Sequence, residues 1–346
     1  MEYNIGGDFL NHLEVFDRKD KKQAVKVVSR TNASIVCFCL IGSLVIVLFQ
    51  LLGSLIFGEK FEAFANSPYY PFIMQVVCVY LVAFPLLYLM IKSLPKAERK
   101  ESDLDLGELG YIFLVCQSIT IVGSLISSWL TDFIGGILGH EIADTTSDII
   151  RETPIWLVIL VAVIIGPIVE ELIFRKLMID RLSVYGDRVA IVITAVTFGL
   201  FHGNLYQLFY ATALGLVFGY VYARTRRIIY STALHIIINF VGTVPALLLT
   251  DSINRLSEVT EETVIEGQLA IDMLLVSGYS LLHYGLAIAG VAVLVIAIKN
   301  NVIDVPNECD ISVPAKHRFR VFFFNFGTIL FLLYTIAECV LSVIGL

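Results

Sequence analysis

The 346 residues are 57% hydrophobic and only 16% charged, with a formal net charge of −7. A soluble domain carries about a quarter charged residues, so the composition excludes a water-soluble globular protein for most of the chain. The mean hydropathy of +0.82 comes from apolar blocks of about 18 or more residues, enough for a helix to cross a hydrocarbon core about 30 Å thick. Each block is expected to be a helix, because a spanning segment in lipid must satisfy its own backbone hydrogen bonds.

The chain opens on a polar, basic segment, residues 1–31, with Arg18, Lys19, Lys21, Lys22, Lys26 and Arg30. It has no early apolar core, so no cleavable leader is expected. Nine spans are predicted in chain order, at 32–57, 70–93, 109–137, 154–177, 187–203, 205–224, 228–249, 272–298 and 319–345. The expected fold is an all-α, polytopic transmembrane bundle of eight to nine spans. The fifth is short, either tilted or incompletely spanning. Residues 32–149 make the N-terminal membrane part, 150–249 a core in which intramembrane polar residues concentrate, and 250–346 the C-terminal membrane part.

Lysine and arginine alternate between loops. The loop after the second span has Lys92, Lys96, Arg99 and Lys100, and Arg224, Arg226 and Arg227 follow the sixth. The loops at 138–153 and 250–271 are acidic, and the second of these is expected to hold a short polar helix. The positive-inside pattern predicts a multi-pass cell-membrane protein with a cytoplasmic N-terminus and an extracellular C-terminus. The six cysteines form no CxxC pair and read as small packing residues.

Ionisable side chains inside a bilayer mark functional sites, and here they fall on spans 4 to 7. Span 4 ends Pro167-Ile168-Val169-Glu170-Glu171-Leu172-Ile173-Phe174-Arg175. The adjacent carboxylates point about 100° apart on a helix, and Glu171 and Arg175 form an i,i+4 pair, which leaves Glu170 free. Pro167 frees the carbonyl four residues before it. Span 5 places Phe198 and His202 on one face, and Gly199 and Gly203 admit a neighbouring helix closely. Span 7 places His235 and Asn239 on one face among aliphatic residues. Each feature alone is also consistent with interfacial charge or interhelical packing. Together they can hydrolyse an amide: a glutamate and a histidine activate water and move its proton, and histidine and asparagine donate to an oxyanion. Glu170, His202 and His235 would also make a three-ligand zinc site, although no HExxH motif is present.

The ordered set EExxxR, FxxxH and HxxxN, one motif per helix, resembles the CPBP family of CAAX proteases and bacteriocin-processing proteins, also called Abi. The resemblance covers residues 150–245. It implies a metal-independent intramembrane glutamic endopeptidase with no cofactor. Glu170 would activate water, His202 would help position it or move the proton, His235 and Asn239 would form the oxyanion hole, and Glu171, Arg175 and Phe198 would support them. The implied partner is a peptide or membrane-anchored protein substrate within the lipid bilayer, in peptide processing or bacteriocin immunity. No nucleic acid is expected, and neither metal dependence nor oligomeric state follows from the sequence. Two other readings remain open: a non-catalytic scaffold or immunity factor, and a transporter-like protein.

One geometric difficulty accompanies this reading. Glu170 lies about five residues from the predicted end of span 4, whereas His202 lies about 14 residues beyond Arg188, roughly 20 Å at 1.5 Å per residue. The two meet only if span 5 tilts strongly or projects its first turns beyond the membrane. Glu338 in span 9 has no partner in the sequence, and Asn204, Tyr206 and Gln207 are candidates for a substrate entrance or an interfacial belt.

Overall fold

The computed structural model describes residues 16–260 and 266–345. His12 and most of the basic N-terminal segment's first half lie outside these residues, as do Glu261 and Glu262. Every regular element among the described residues is helical. In chain order they are α1 (Arg18–Phe57), α2 (Glu59–Ala65), α3 (Tyr70–Ile91), α4 (Leu106–Leu138), α5 (Thr145–Glu152), α6 (Ile155–Tyr185), α7 (Asp187–Phe201), α8 (Leu205–Thr225), α9 (Ile228–Leu248), α10 (Thr250–Ser257), α11 (Gln268–Lys299), α12 (Ala315–Phe322) and α13 (Phe326–Ile344).

Eight of these helices are long and apolar enough to cross a membrane. Of the nine predicted spans, the one that falls short is α7, which at 15 residues rises only about 22 Å. It is the short fifth span of the sequence reading. The expected polar helix after span 7 is α10.

Two boundaries differ from the sequence reading. The first helix begins at Arg18, well before residue 32, because Asp17 and Asp20 form a reciprocal capping box at its start. The fourth does not stop at residue 177. It runs on to Tyr185, through Arg175, Lys176, Asp180 and Arg181. Those charges are compatible with a packed helix because Arg175, Lys176 and Asp180 are paired and Arg181 donates to the Lys176 carbonyl. The Tyr222 hydroxyl donates to Asp180 Oδ1 at 2.7 Å, and Lys176 lies 3.4 Å from Asp180.

The extension removes the depth difficulty. Glu170 is the central residue of the 31-residue α6, not a residue near its end. Gly186, at φ 123°, makes the turn into α7. Glu170 precedes that turn by 16 residues and His202 follows it by 16. Two helices diverging from one turn come level after equal lengths, so no strong tilt of α7 is needed to bring His202 to the level of Glu170.

The loops rich in lysine and arginine all lie at one end of the bundle and are tied together. Ala97 N–H donates to the Asp180 carbonyl, Ser102 N–H to Thr225, and Asp187 N–H to Glu308. Arg226 pairs with Asp187 at 2.5 Å, and Arg99 with Asp310 at 2.6 Å. Within the bundle, α7 packs along α8, α8 against α4, α4 against α11, and α1 against α13. The two predicted glycine contacts exist. A Cβ at Gly199 would lie 2.8 Å from the Leu208 carbonyl, and one at Gly203 would lie 3.1 Å from Glu338 Cβ. Glu338, unpartnered in the sequence, therefore packs beside His202. All six cysteines are free.

Candidate active site

The site is assembled from α6, α7, α8 and α9. Three stretches of wider, i→i+5 turns surround it: Gln75–Ala83 in α3, and Ile159–Ile165 and Leu172–Ile179 in α6. The two in α6 bracket a single α-helical stretch, Gly166–Glu171. Such turns often occur at functional sites because each shifts the phase of the side chains that follow.

Within that α-helical stretch the two adjacent carboxylates point about 100° apart. Glu171 is fully buried, and its Oε2 lies 3.1 Å from Arg175 Nε, which is also fully buried. Glu171 Oε1 lies 3.2 Å from His235 Nδ1. The neighbouring Glu170 side chain keeps 21% of its surface exposed, and its Oε2 is 3.6 Å from His235 Nε2. The expected i,i+4 pair is present. The imidazole of His235 also bridges both carboxylates, one on each nitrogen. With Nδ1–H directed to Glu171, Nε2 is the nitrogen that faces Glu170.

Aromatic rings enclose the buried pair. The Arg175 guanidinium lies over Phe198 at 4.9 Å and over Phe218 at 5.6 Å. Phe218 stacks on His235 with centroids 5.0 Å apart. Phe198 meets His202 edge-on at 5.0 Å and His235 at 5.8 Å, and Phe174 at 5.0 Å. Phe198 is thus the ring against which both histidines rest. His202 directs Nδ1–H to the Phe198 carbonyl at 2.8 Å, which leaves Nε2 with a lone pair able to accept a proton.

Asn239 is partly buried, and its Nδ2 donates to the Ala162 carbonyl at 3.2 Å. The sequence reading assigned Pro167 the carbonyl four residues earlier. The wide turns change that register. Gly166 N–H reaches the Val161 carbonyl, five residues back, so the next residue, Pro167, fails to supply Ala162 instead.

The structure therefore brings all seven predicted residues together. Sequence reasoning missed Phe218 and Ala162. Phe218 belongs to an apolar stripe of α8 with Leu214, Val221 and Tyr222, which carries no motif. Among the described residues, no group of three His, Cys, Asp or Glu side chains stands in a metal-binding arrangement. Asn204 instead caps α8, accepting from Gln207 N–H at 2.9 Å, and Tyr206 donates to the Ile142 carbonyl at 2.8 Å. A cavity of about 1300 Å³ lies between α4, α7, α8 and α11 at the arginine-rich end, and none of the seven residues lines it.

Residues 152–241 match the family model described as "Type II CAAX prenyl endopeptidase Rce1-like", an interval that contains all seven. A protein of Bacillus subtilis (strain 168) described as "Putative membrane peptidase YdiL" is 30% identical over 146 residues, which cover 41% of this chain and 59% of that protein. The chain thus matches less than two thirds of the length of that curated relative. No solved structure matches the chain.

Proposed function

We propose that this chain, whose residues 152–241 match the Rce1-like family model, hydrolyses a peptide bond inside the membrane with a water activated by Glu170. The observation that carries this reading is the unequal setting of two adjacent carboxylates. Glu171 is sealed between Arg175 and His235, whereas Glu170 remains partly exposed beside His235 Nε2. Of the two carboxylates, Glu170 has the open side on which a water would be held.

In this scheme Glu170 takes a proton from water as the water oxygen bonds to the scissile carbonyl carbon. His235, with Nδ1–H held by Glu171 and a second proton carried on Nε2 beside Glu170, donates that Nε2–H to the developing oxyanion. Asn239 gives one amide hydrogen to Ala162 and supplies its second to the same oxyanion. His202, with Nε2 free, carries the abstracted proton to the departing amine as the C–N bond breaks. The substrate is a small peptide or a membrane-associated protein, and the arginine-rich end of the bundle faces the cytoplasm.

The test is a cleavage assay on purified protein in detergent, with membrane-anchored peptides and prenylated CAAX peptides as probes. Wild type is expected to cleave and to keep cleaving after exhaustive chelation, whereas Glu170→Gln and His235→Ala fold but do not cleave. Cleavage by Glu170→Gln refutes the role given to that residue. Loss on chelation that zinc restores refutes the metal-independent reading.

A further inference from the structure

Tyr80 lies on α3, outside the segment that matches the protease family, yet it belongs to the same buried core as Val161, Val169, Phe174 and Phe198. It is 9% exposed. Its hydroxyl accepts a hydrogen bond from Gln75 Nε2 at 2.7 Å. The two residues are five apart, one wide turn of the Gln75–Ala83 stretch, so the i→i+5 register is what stacks them. A strict α-helix would rotate Gln75 away from the ring.

The hydroxyl faces α6. A Cβ at Gly166 would lie 3.3 Å from the Tyr80 oxygen, so the absence of a side chain at Gly166 makes room for it. Gly166 precedes Glu170 by four residues on one α-helical stretch, and the two share a face. Helical side chains lean towards the N-terminus of their helix, so the Glu170 carboxylate leans back over Gly166, towards the phenol. Gln75 occupies a lone pair on the Tyr80 oxygen as donor, which leaves the phenolic proton free to be given elsewhere. A hydroxyl that accepts one bond is also the stronger donor of the next. On the far side, Glu170 Oε2 faces His235 Nε2.

We propose that the Tyr80 hydroxyl is the hydrogen-bond donor that orients the Glu170 carboxylate opposite His235, with Gln75 as the residue that aims it. Tyr80 is then a positioning residue for the base. It shows why the matched segment alone is an incomplete site: one anchor of its glutamate comes from the second membrane span. The inference rests on the reading of Glu170 as the base.

The test uses the full-length chain in detergent, comparing wild type, Tyr80→Phe and Gln75→Leu. Tyr80→Phe is expected to lower kcat about tenfold or more, the scale of a lost hydrogen bond to a charged group, with KM and melting temperature unchanged. Gln75→Leu is expected to give a smaller loss in the same direction. An infrared readout is independent of turnover. The Glu170 carboxylate band, assigned by its loss in Glu170→Gln, is expected to move in Tyr80→Phe and, less, in Gln75→Leu. An unmoved band overturns the proposal, as does an unchanged kcat in Tyr80→Phe. If Tyr80→Phe does not fold, the band in Gln75→Leu decides. A wild type that does not cleave, or a Glu170→Gln protein that does, overturns the peptidase reading instead, and the band still decides whether Tyr80 and Glu170 are bonded.

Discussion

Asn239 on α9 donates its side-chain amide to the carbonyl of Ala162 on α6 at 3.2 Å. The acceptor is the carbonyl that Pro167, lacking an N–H, leaves unpaired in the i→i+5 register of Ile159–Ile165. A backbone defect in one motif helix is thus completed by the last residue of the HxxxN motif on another. This fixes α9 against α6 at the level where His235 meets both glutamates.

This relationship predicts a coupling between Asn239 and Pro167. Asn239→Ala leaves a buried carbonyl unsatisfied, at a cost of about 1–3 kcal/mol. In a Pro167→Ala background the restored N–H supplies the carbonyl, and the same substitution is expected to cost less. A double-mutant cycle of denaturant unfolding in detergent measures the difference. Equal costs in the two backgrounds contradict the assignment.

Glu170 and Glu171 are expected to respond oppositely to the same substitution. Glu170→Gln removes the proposed base, and with it a factor of about 10²–10⁴ in turnover, and leaves the melting temperature intact. Glu171→Gln deprives the buried Arg175 of its counter-charge, so its primary effect is on stability. Melting curves recorded alongside cleavage rates separate the two. A stable Glu171→Gln and an unfolded Glu170→Gln reverse the assignment.

Arg175 cannot be replaced by lysine without loss. Its guanidinium meets the Phe198 and Phe218 rings while pairing with Glu171, and a lysine ammonium lacks the planar, delocalised group that such contacts use. Arg175→Ala leaves Glu171 as a buried charge facing His235 and Ser231 without its cation, for which about 3–5 kcal/mol is the usual cost. Arg175→Lys is expected to fall between that value and wild type in chemical denaturation. A lysine variant as stable as wild type shows that charge alone is sufficient.

Phe198 carries no chemistry, yet its ring contacts Arg175, His202, His235 and Phe174. Phe198→Ala is expected to destabilise by about 3–5 kcal/mol, as for a large core truncation. Phe198→Leu keeps most of the volume and is expected to fold, but to lose turnover because both histidines lose this shared ring and His235 keeps only Phe218. Full activity in a folded Phe198→Leu protein rules out the ring as the support of the two histidines.

Much of this protein was legible in one dimension. Lipid is a uniform apolar solvent, so length and hydropathy locate a span without knowledge of its neighbours. The pairing of Glu171 with Arg175 is local to one helix and follows from i,i+4 spacing. The short α7 and the grouping of the basic loops were legible for the same reason. So was the cluster of six charged or polar candidates on spans 4 to 7, because such side chains stand out against an apolar background, whereas Phe198 was marked only by its spacing to His202.

Tertiary structure decided the rest. Asp180 and Lys176 read as the end of a span until Tyr222, 42 residues away, and their own ion pair are seen to keep that helix packed. Whether Pro167 leaves unpaired the carbonyl four or five residues back depends on the local turn, which hydropathy does not encode. That His235 bridges both glutamates, that Phe218 lies against Arg175, and that Tyr80 faces Gly166 depend on the phase and depth of separate helices. Those are set by packing of one helix against another. The sequence by itself therefore determined which residues are costly to bury; only the packed bundle decided which of them are neutralised and which one keeps an open side.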